Sequence, residues 1–145
     1  MTFQSPELFV WKNQAYYSSD EPLRVYLDKC GNEKFGLFDG LSSCWRGYRG
    51  TWMIQKNKLF LIDLQGALGE DIDLTRIFPQ CEIRVFAYWF NGRIQLPFGE
   101  IMKEIHVTEE MSMDPSVYEG YYELEFNNGI FINESTFYNP NLIEE

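Results

Sequence analysis

The stretch TWMIQKNKLFLIDL, Thr51 to Leu64, sets two alternating apolar runs on either side of a polar Lys56-Asn57 pair. Strand side chains alternate between faces, so a two-residue turn at that pair places Ile54 opposite Leu59 and Trp52 opposite Leu61 on one apolar face. The same pattern returns three times. In VFAYWFNGRIQLPF, Asn91-Gly92 supplies the two positive-φ positions of a type I′ turn, pairing Trp89 with Ile94, Ala87 with Leu96 and Val85 with Phe98. GYYELEFNNGIFINE fits a three-residue loop with Gly129 left-handed, pairing Phe126 with Ile130 and Leu124 with Ile132. LFVWKNQAYY near the start offers Lys12-Asn13 as a fourth turn.

Helix signals are fewer. PLRVYLDK starts on Pro22, which suits a first helical turn, and Gly31 stands just past its end. DIDLTRIFP predicts one or two further turns that Pro79 halts. The expected fold is therefore mainly β, with an α+β character at most: antiparallel hairpins forming a two-layer sandwich or open barrel, with one or two short helices. No fixed period marks a solenoid or propeller, and no linker composition divides the chain, so residues 1–145 are expected to form a single domain.

The opening MTFQSPELF lacks the basic start and apolar run of a secretory signal, and no stretch approaches the roughly 18 apolar residues of a membrane span. A soluble cytoplasmic protein is expected, with no membrane partner. Cys30, Cys44 and Cys81 are odd in number and lack a CxxC pair, so buried thiols explain them better than a disulfide framework or a zinc site.

The residues that carry chemistry in enzymes are sparse. His106 is the only histidine, and its surroundings, KEIHVTEE, read as strand. No GxSxG, GxGxxG or GxxxxGK[ST] pattern is present. Glu70, Asp71 and Asp73 depart from the spacing of a calcium loop and are better explained as helix-entry carboxylates. Neither catalysis, a metal nor a cofactor is expected.

Charge is more informative. Residues 1–99 hold 11 Lys+Arg and 11 Asp+Glu, a balance of zero, while residues 100–145 hold one Lys and 11 Asp+Glu, so the last third carries the whole net charge of −10. Acidic residues keep a small protein soluble, but a field concentrated in this way also draws in a basic partner and repels phosphate backbones. In EGYYELEF the alternation puts Glu119, Tyr121, Glu123 and Glu125 on one face, opposite Tyr122, Leu124 and Phe126. Like charges at alternate positions repel unless a cation answers them. Glu104, Glu109, Glu110 and Asp114 extend the acidic surface upstream, with Met111 and Met113 as adaptable contacts in TEEMSMDP.

The segment WRGYRGTW invites a rival reading, because Trp45, Arg46, Tyr48 and Arg49 combine stacking rings with cations as single-stranded nucleic-acid platforms do. Alternation places Arg46, Tyr48 and Trp52 on one face and Trp45 and Arg49 on the other, and the Tyr48–Trp52 face continues into Ile54, Leu59 and Leu61. That is the composition of an interior, so nucleic acid is not the expected partner. A small ligand enclosed by an aromatic-rich sandwich is a second rival.

WRGYRGTW leading into NKLFLIDL, in a small acidic β-rich chain, resembles immunity proteins of bacterial contact-dependent growth inhibition systems; the likeness covers about residues 45–64. The resemblance implies a protein that binds and neutralises one cognate toxin domain, often a basic nuclease. It assigns no binding residues. Glu119, Tyr121, Glu123, Glu125, Glu109, Glu110 and Asp114 are the candidates because of charge and alternation.

Overall fold

The computed structural model describes residues 6–30, 48–66, 69–81, 83–101 and 118–138, without the side chains of Cys30, Glu100 and Ile101. Strands β1 (Glu7–Trp11) and β2 (Gln14–Ser18) are joined by Lys12-Asn13, and β3 (Tyr48–Gln55) and β4 (Lys58–Gly66) by Lys56-Asn57. Both pairs have positive φ at each residue (53° and 65°; 53° and 62°), which is the type I′ geometry whose twist matches the flanking strands. Ile54 opposes Leu59 and Trp52 opposes Leu61, as alternation predicts. The bulge in this ladder falls between Thr51 and Trp52, so Tyr48, Gly50 and Trp52 keep one buried face.

The helix α1 (Pro22–Cys30) begins on the expected proline. Leu23 and Leu27, one turn apart, are wholly buried, while Arg24 pairs with Glu21 and Asp28 at 3.5 Å on the wet face. DIDLTRIFP makes a single 3-10 turn, Leu74–Arg76. Asp73 caps it by accepting from the Thr75 N–H at 3.0 Å and the Thr75 hydroxyl at 2.8 Å. Those two hydrogen bonds hold the Asp73 carboxyl below its ordinary pKa.

The Asn91-Gly92 hairpin does not form. Asn91 lacks a positive φ, and Gly92, at φ 148°, opens the long strand β6 (Gly92–Ile101). Val85–Phe86 (β5) pairs instead with β4, through Phe86 to Phe60 and Val85 to Leu61. A tight turn follows, in which the Phe90 N–H donates to the Ala87 carbonyl at 3.1 Å. Asn91 spends its side chain elsewhere: its Oδ1 accepts the Asn128 N–H at 2.7 Å, steadying a different turn. Val85, Ala87 and Trp89 are nonetheless buried, so the alternation there marked the core without marking the pairing.

The last hairpin joins β7 (Tyr118–Asn127) to β8 (Ile130–Tyr138), with Asn128 and Gly129 at φ 50° and 79°. The turn has two residues rather than three, so Phe126 opposes Phe131 and Asn127 opposes Ile130; a bulge then sets Leu124 against Glu134. A one-residue slip reverses faces. Phe131 packs on Phe126 with ring centroids 5.8 Å apart, and Ile132 is left exposed.

The eight strands form one open sheet. Seven run in the order β2-β1-β3-β4-β8-β7-β6, and β5 lies off this path on β4. The mainly β expectation holds, with one α-helix among the described residues and an open ladder rather than a closed barrel. It is a mixed sheet because β3 adds to β1 in parallel, Phe9 beside Trp52 with their rings stacked at 6.2 Å. Along the ladder, the two halves join through the Lys58–Ile130 pair.

Curvature brings the end strands β2 and β6 into contact without ladder pairing. Asp20, just past β2, closes part of the gap: its Oδ2 accepts the Gln95 N–H of β6 at 2.8 Å and the Ser18 hydroxyl at 3.1 Å. Burial raises the Asp20 carboxyl above its ordinary pKa, outweighing those hydrogen bonds. A carboxyl with a raised folded pKa binds its proton more tightly when folded. Its stabilising contribution is full below the unfolded pKa and is lost as pH rises through the folded one. The native chain is therefore expected to gain stability relative to Asp20→Asn as pH falls from about 7 to about 4. Urea midpoints of both proteins across that window test this; a constant difference would refute it.

Candidate functional site

Strand β7 presents two unlike faces. Gly120, Leu124 and Phe126 point into the core, and Glu119, Tyr121, Glu123 and Glu125 lie half-buried on the other face, as the alternation of EGYYELEF predicts. Tyr122 shares the inner side, where Trp11 and Phe98 meet its ring at 5.1 and 4.6 Å.

Neighbouring strands complete the outer face in three rows. Pro97, Tyr121 and Phe137 stand side by side; Gln95, Glu123 and Ser135 form the next row; Arg93, Glu125 and Asn133 form the third. Residues directly opposite on paired strands share a face, so each row is contiguous. Tyr121 stacks on Phe137 with centroids 5.1 Å apart and planes at 24°, and Phe137 keeps 42% of its surface exposed. Glu119 lies against Gly99, whose φ of 80° and missing side chain leave room for it.

Part of the repulsion along β7 is answered from within the chain. The Glu123 carboxylate is 3.8 Å from Arg93 Nη1 and accepts from Gln95 Nε2 at 3.3 Å; its side chain is only 20% exposed. Arg93 is itself 60% exposed, so this ion pair contributes no more than about 1 kcal/mol. Among the described residues of this face, Glu119, Glu123 and Glu125 bring three carboxylates and Arg93 one guanidinium. Arg93, Gln95, Pro97 and Phe137 had no local signal in the sequence, because their places are set by pairing between strands far apart in the chain. Glu109, Glu110 and Asp114, together with Glu104, Met111, Met113 and His106, lie outside the described residues, as do Trp45, Arg46 and Cys44.

Tyr48 and Trp52 are fully buried, in keeping with the interior reading of that hairpin. Trp52 Nε1 donates to Glu7 Oε1 at 2.7 Å, and the Gly50 N–H donates to Glu7 Oε2 at 2.9 Å, tying β3 to β1 inside the core. Among the described residues, no three His, Cys, Asp or Glu side chains gather as a metal site would need. No helix among them is long and apolar enough to cross a membrane.

No protein-family model, curated protein or solved structure matches the chain.

Proposed function

We propose that this chain is an immunity protein that binds a cognate basic toxin domain, a nuclease, and neutralises it in the bacterial cytoplasm. The observation that carries the reading is the outer face of β7, where the half-buried Tyr121 stacked on the exposed Phe137 borders Glu119, Glu123 and Glu125. A nuclease surface must be basic to hold a phosphate backbone, so carboxylates that occupy it exclude substrate without any catalysis. The aromatic stack supplies the anchor, and the acidic field sets encounter rate and partner choice. Glu109, Glu110 and Asp114, which precede β7 in the sequence, belong to the same acidic last third of the chain.

Glu125 is the sharper probe, because Glu119 packs against Gly99 and reversing Glu123 also disturbs its contacts with Arg93 and Gln95. Glu125→Lys is expected to weaken a basic partner at least about fivefold and to flatten the salt dependence of binding. Unfolding should shift by less than about 0.5 kcal/mol, as for surface changes generally. Calorimetric titration of native and reversed proteins decides; equal affinities with intact folding would remove β7 from the interface. The partner itself is sought by co-purifying the tagged chain with the product of the adjacent gene. A stoichiometric complex with a basic domain that kills when expressed alone supports the proposal, and a harmless neighbour that fails to bind overturns it.

A further inference from the structure

A second site shares no residue with the outer face of β7. Between α1, the segment after the 3-10 turn, and β5 is a cleft of about 430 Å³ whose walls include Tyr26, Phe78, Phe86 and Tyr88. That volume falls within the roughly 300–1,000 Å³ of small-molecule sites. The walls hold one another in place. Phe78 stacks on the buried Trp89 at 5.5 Å with planes 13° apart, Tyr26 lies 4.8 Å from Phe78 and 4.9 Å from Trp89, and Tyr88 meets Trp89 edge-on at 5.4 Å. Trp89 is pinned in turn, its Nε1 donating to the Pro22 carbonyl at 2.8 Å.

Among the described residues, one cation lines this aromatic cleft. Arg84 is exposed, yet it is fixed twice: its guanidinium sits 3.8 Å over the Phe60 ring, and Nη1 donates to Gln55 Oε1 at 2.6 Å. A guanidinium carries five N–H donors, so a further acceptor has donors to meet. Lys58 adds a second positive charge, its Nζ 5.5 Å from the Phe86 ring. In a protein of net charge −10, two cations therefore flank the Phe60–Phe86 pair, of which Phe86 lines the cleft. Ordering a long exposed side chain costs entropy, and a pre-ordered arginine beside aromatic walls spends less of it when an anion binds.

We propose that this cleft binds a flat aromatic carboxylate, its ring against the Tyr26, Phe78 and Tyr88 walls and its carboxylate on Arg84. The two cations disfavour a positively charged ligand. The apolar walls offer too few donors for a polyphosphate.

The test is amide chemical-shift titration of the full chain with 2-naphthoate and with its uncharged analogue, 2-naphthalenemethanol. Naphthoate should give saturable shifts around Tyr26, Cys81 and residues 84–88, and bind at least about fivefold more tightly than the alcohol, as one partly exposed ion pair allows. Arg84→Gln should bring naphthoate down to the alcohol's affinity and leave the alcohol unchanged. Tyr88→Ala, at an exposed position, should weaken both while the rest of the spectrum stays native. Absent saturation, shifts centred elsewhere, equal binding of the two probes, or indifference to both substitutions would each overturn the assignment. None of these results bears on the β7 face, so this site and the proposed toxin interface stand or fall separately.

Discussion

Gly129→Ala is expected to destabilise the protein by about 3 kcal/mol, of which about 1 is the left-handed backbone and about 2 the displacement of packed neighbours. Gly129 has a φ of 79°, and a Cβ there would stand 2.4 Å from the Ala87 carbonyl oxygen and 2.9 Å from its carbon. These are backbone atoms, so no rotamer change relieves the contact. The position is also a junction. Its N–H donates to the Phe90 carbonyl at 2.8 Å, its own carbonyl accepts the Leu59 N–H at 3.0 Å, and the Ala87 N–H donates to the Leu59 carbonyl at 2.8 Å. Through these bonds the β7–β8 turn, the start of β4 and the turn after β5 hold together the two halves of the sheet. Asn128→Gly, at the neighbouring left-handed residue, is the control and should cost almost nothing. Urea denaturation followed by tryptophan fluorescence compares them; a Gly129→Ala cost below about 1 kcal/mol would show that Ala87 is not against this turn.

The largest expected effect is at Trp52. Trp52→Ala removes a fully buried ring stacked on Phe9, worth about 3–5 kcal/mol, and strips the Glu7 carboxylate of its indole donor, adding about 1–3. The sum approaches the whole stability of an ordinary domain, so this variant is expected to be largely unfolded. Trp52→Phe separates the two terms. It keeps an aromatic ring beside Phe9 and loses the N–H, for a cost of about 1–3 kcal/mol plus a small volume term. Glu7→Gln should fall in the same range, because its amide NH₂ must face either the Gly50 N–H or the Trp52 indole N–H. Combined, Glu7→Gln and Trp52→Phe should cost less than their sum by at least about 0.5 kcal/mol, as residues in one hydrogen-bonded unit do. Strict additivity would mean that the buried carboxylate and the indole do not act as a unit.

Much of the local structure was legible. Lys12-Asn13 and Lys56-Asn57 sit between alternating runs and form the turns that pattern predicts. Pro22 marked the start of the helix, and the Glu/apolar alternation of EGYYELEF marked the two faces of β7. All of these depend on contacts within a few residues. The failures share a cause. Asn91-Gly92 has strong hairpin chemistry, yet the β4 edge took up Val85–Phe86 and the β7–β8 turn took the Asn91 side chain. The register of β7 with β8 turned on one residue, the difference between a three-residue loop and the Asn128-Gly129 turn, with a bulge following at Glu125 and Phe126.

The candidate site divides along the same line. The carboxylates of β7 could be named from alternation and charge alone. Their surroundings could not: Arg93 beside Glu123 and Phe137 stacked on Tyr121 exist because β6 and β8 flank β7. The aromatic cleft carried no local signal, since Tyr26, Phe78, Arg84 and Tyr88 come from separate segments and meet only once α1 packs beside β5.

By itself the sequence determined the mainly β class, the alternation of side chains along β1, β3, β4 and β7, and where most chain reversals fall, because a strand's period and a turn's φ values are local properties. Only the tertiary structure decided which strands became neighbours, including the parallel β1–β3 pair and the near meeting of β2 and β6. Those choices depend on burying every apolar face at once, a condition met by the whole chain and written in no single stretch of it.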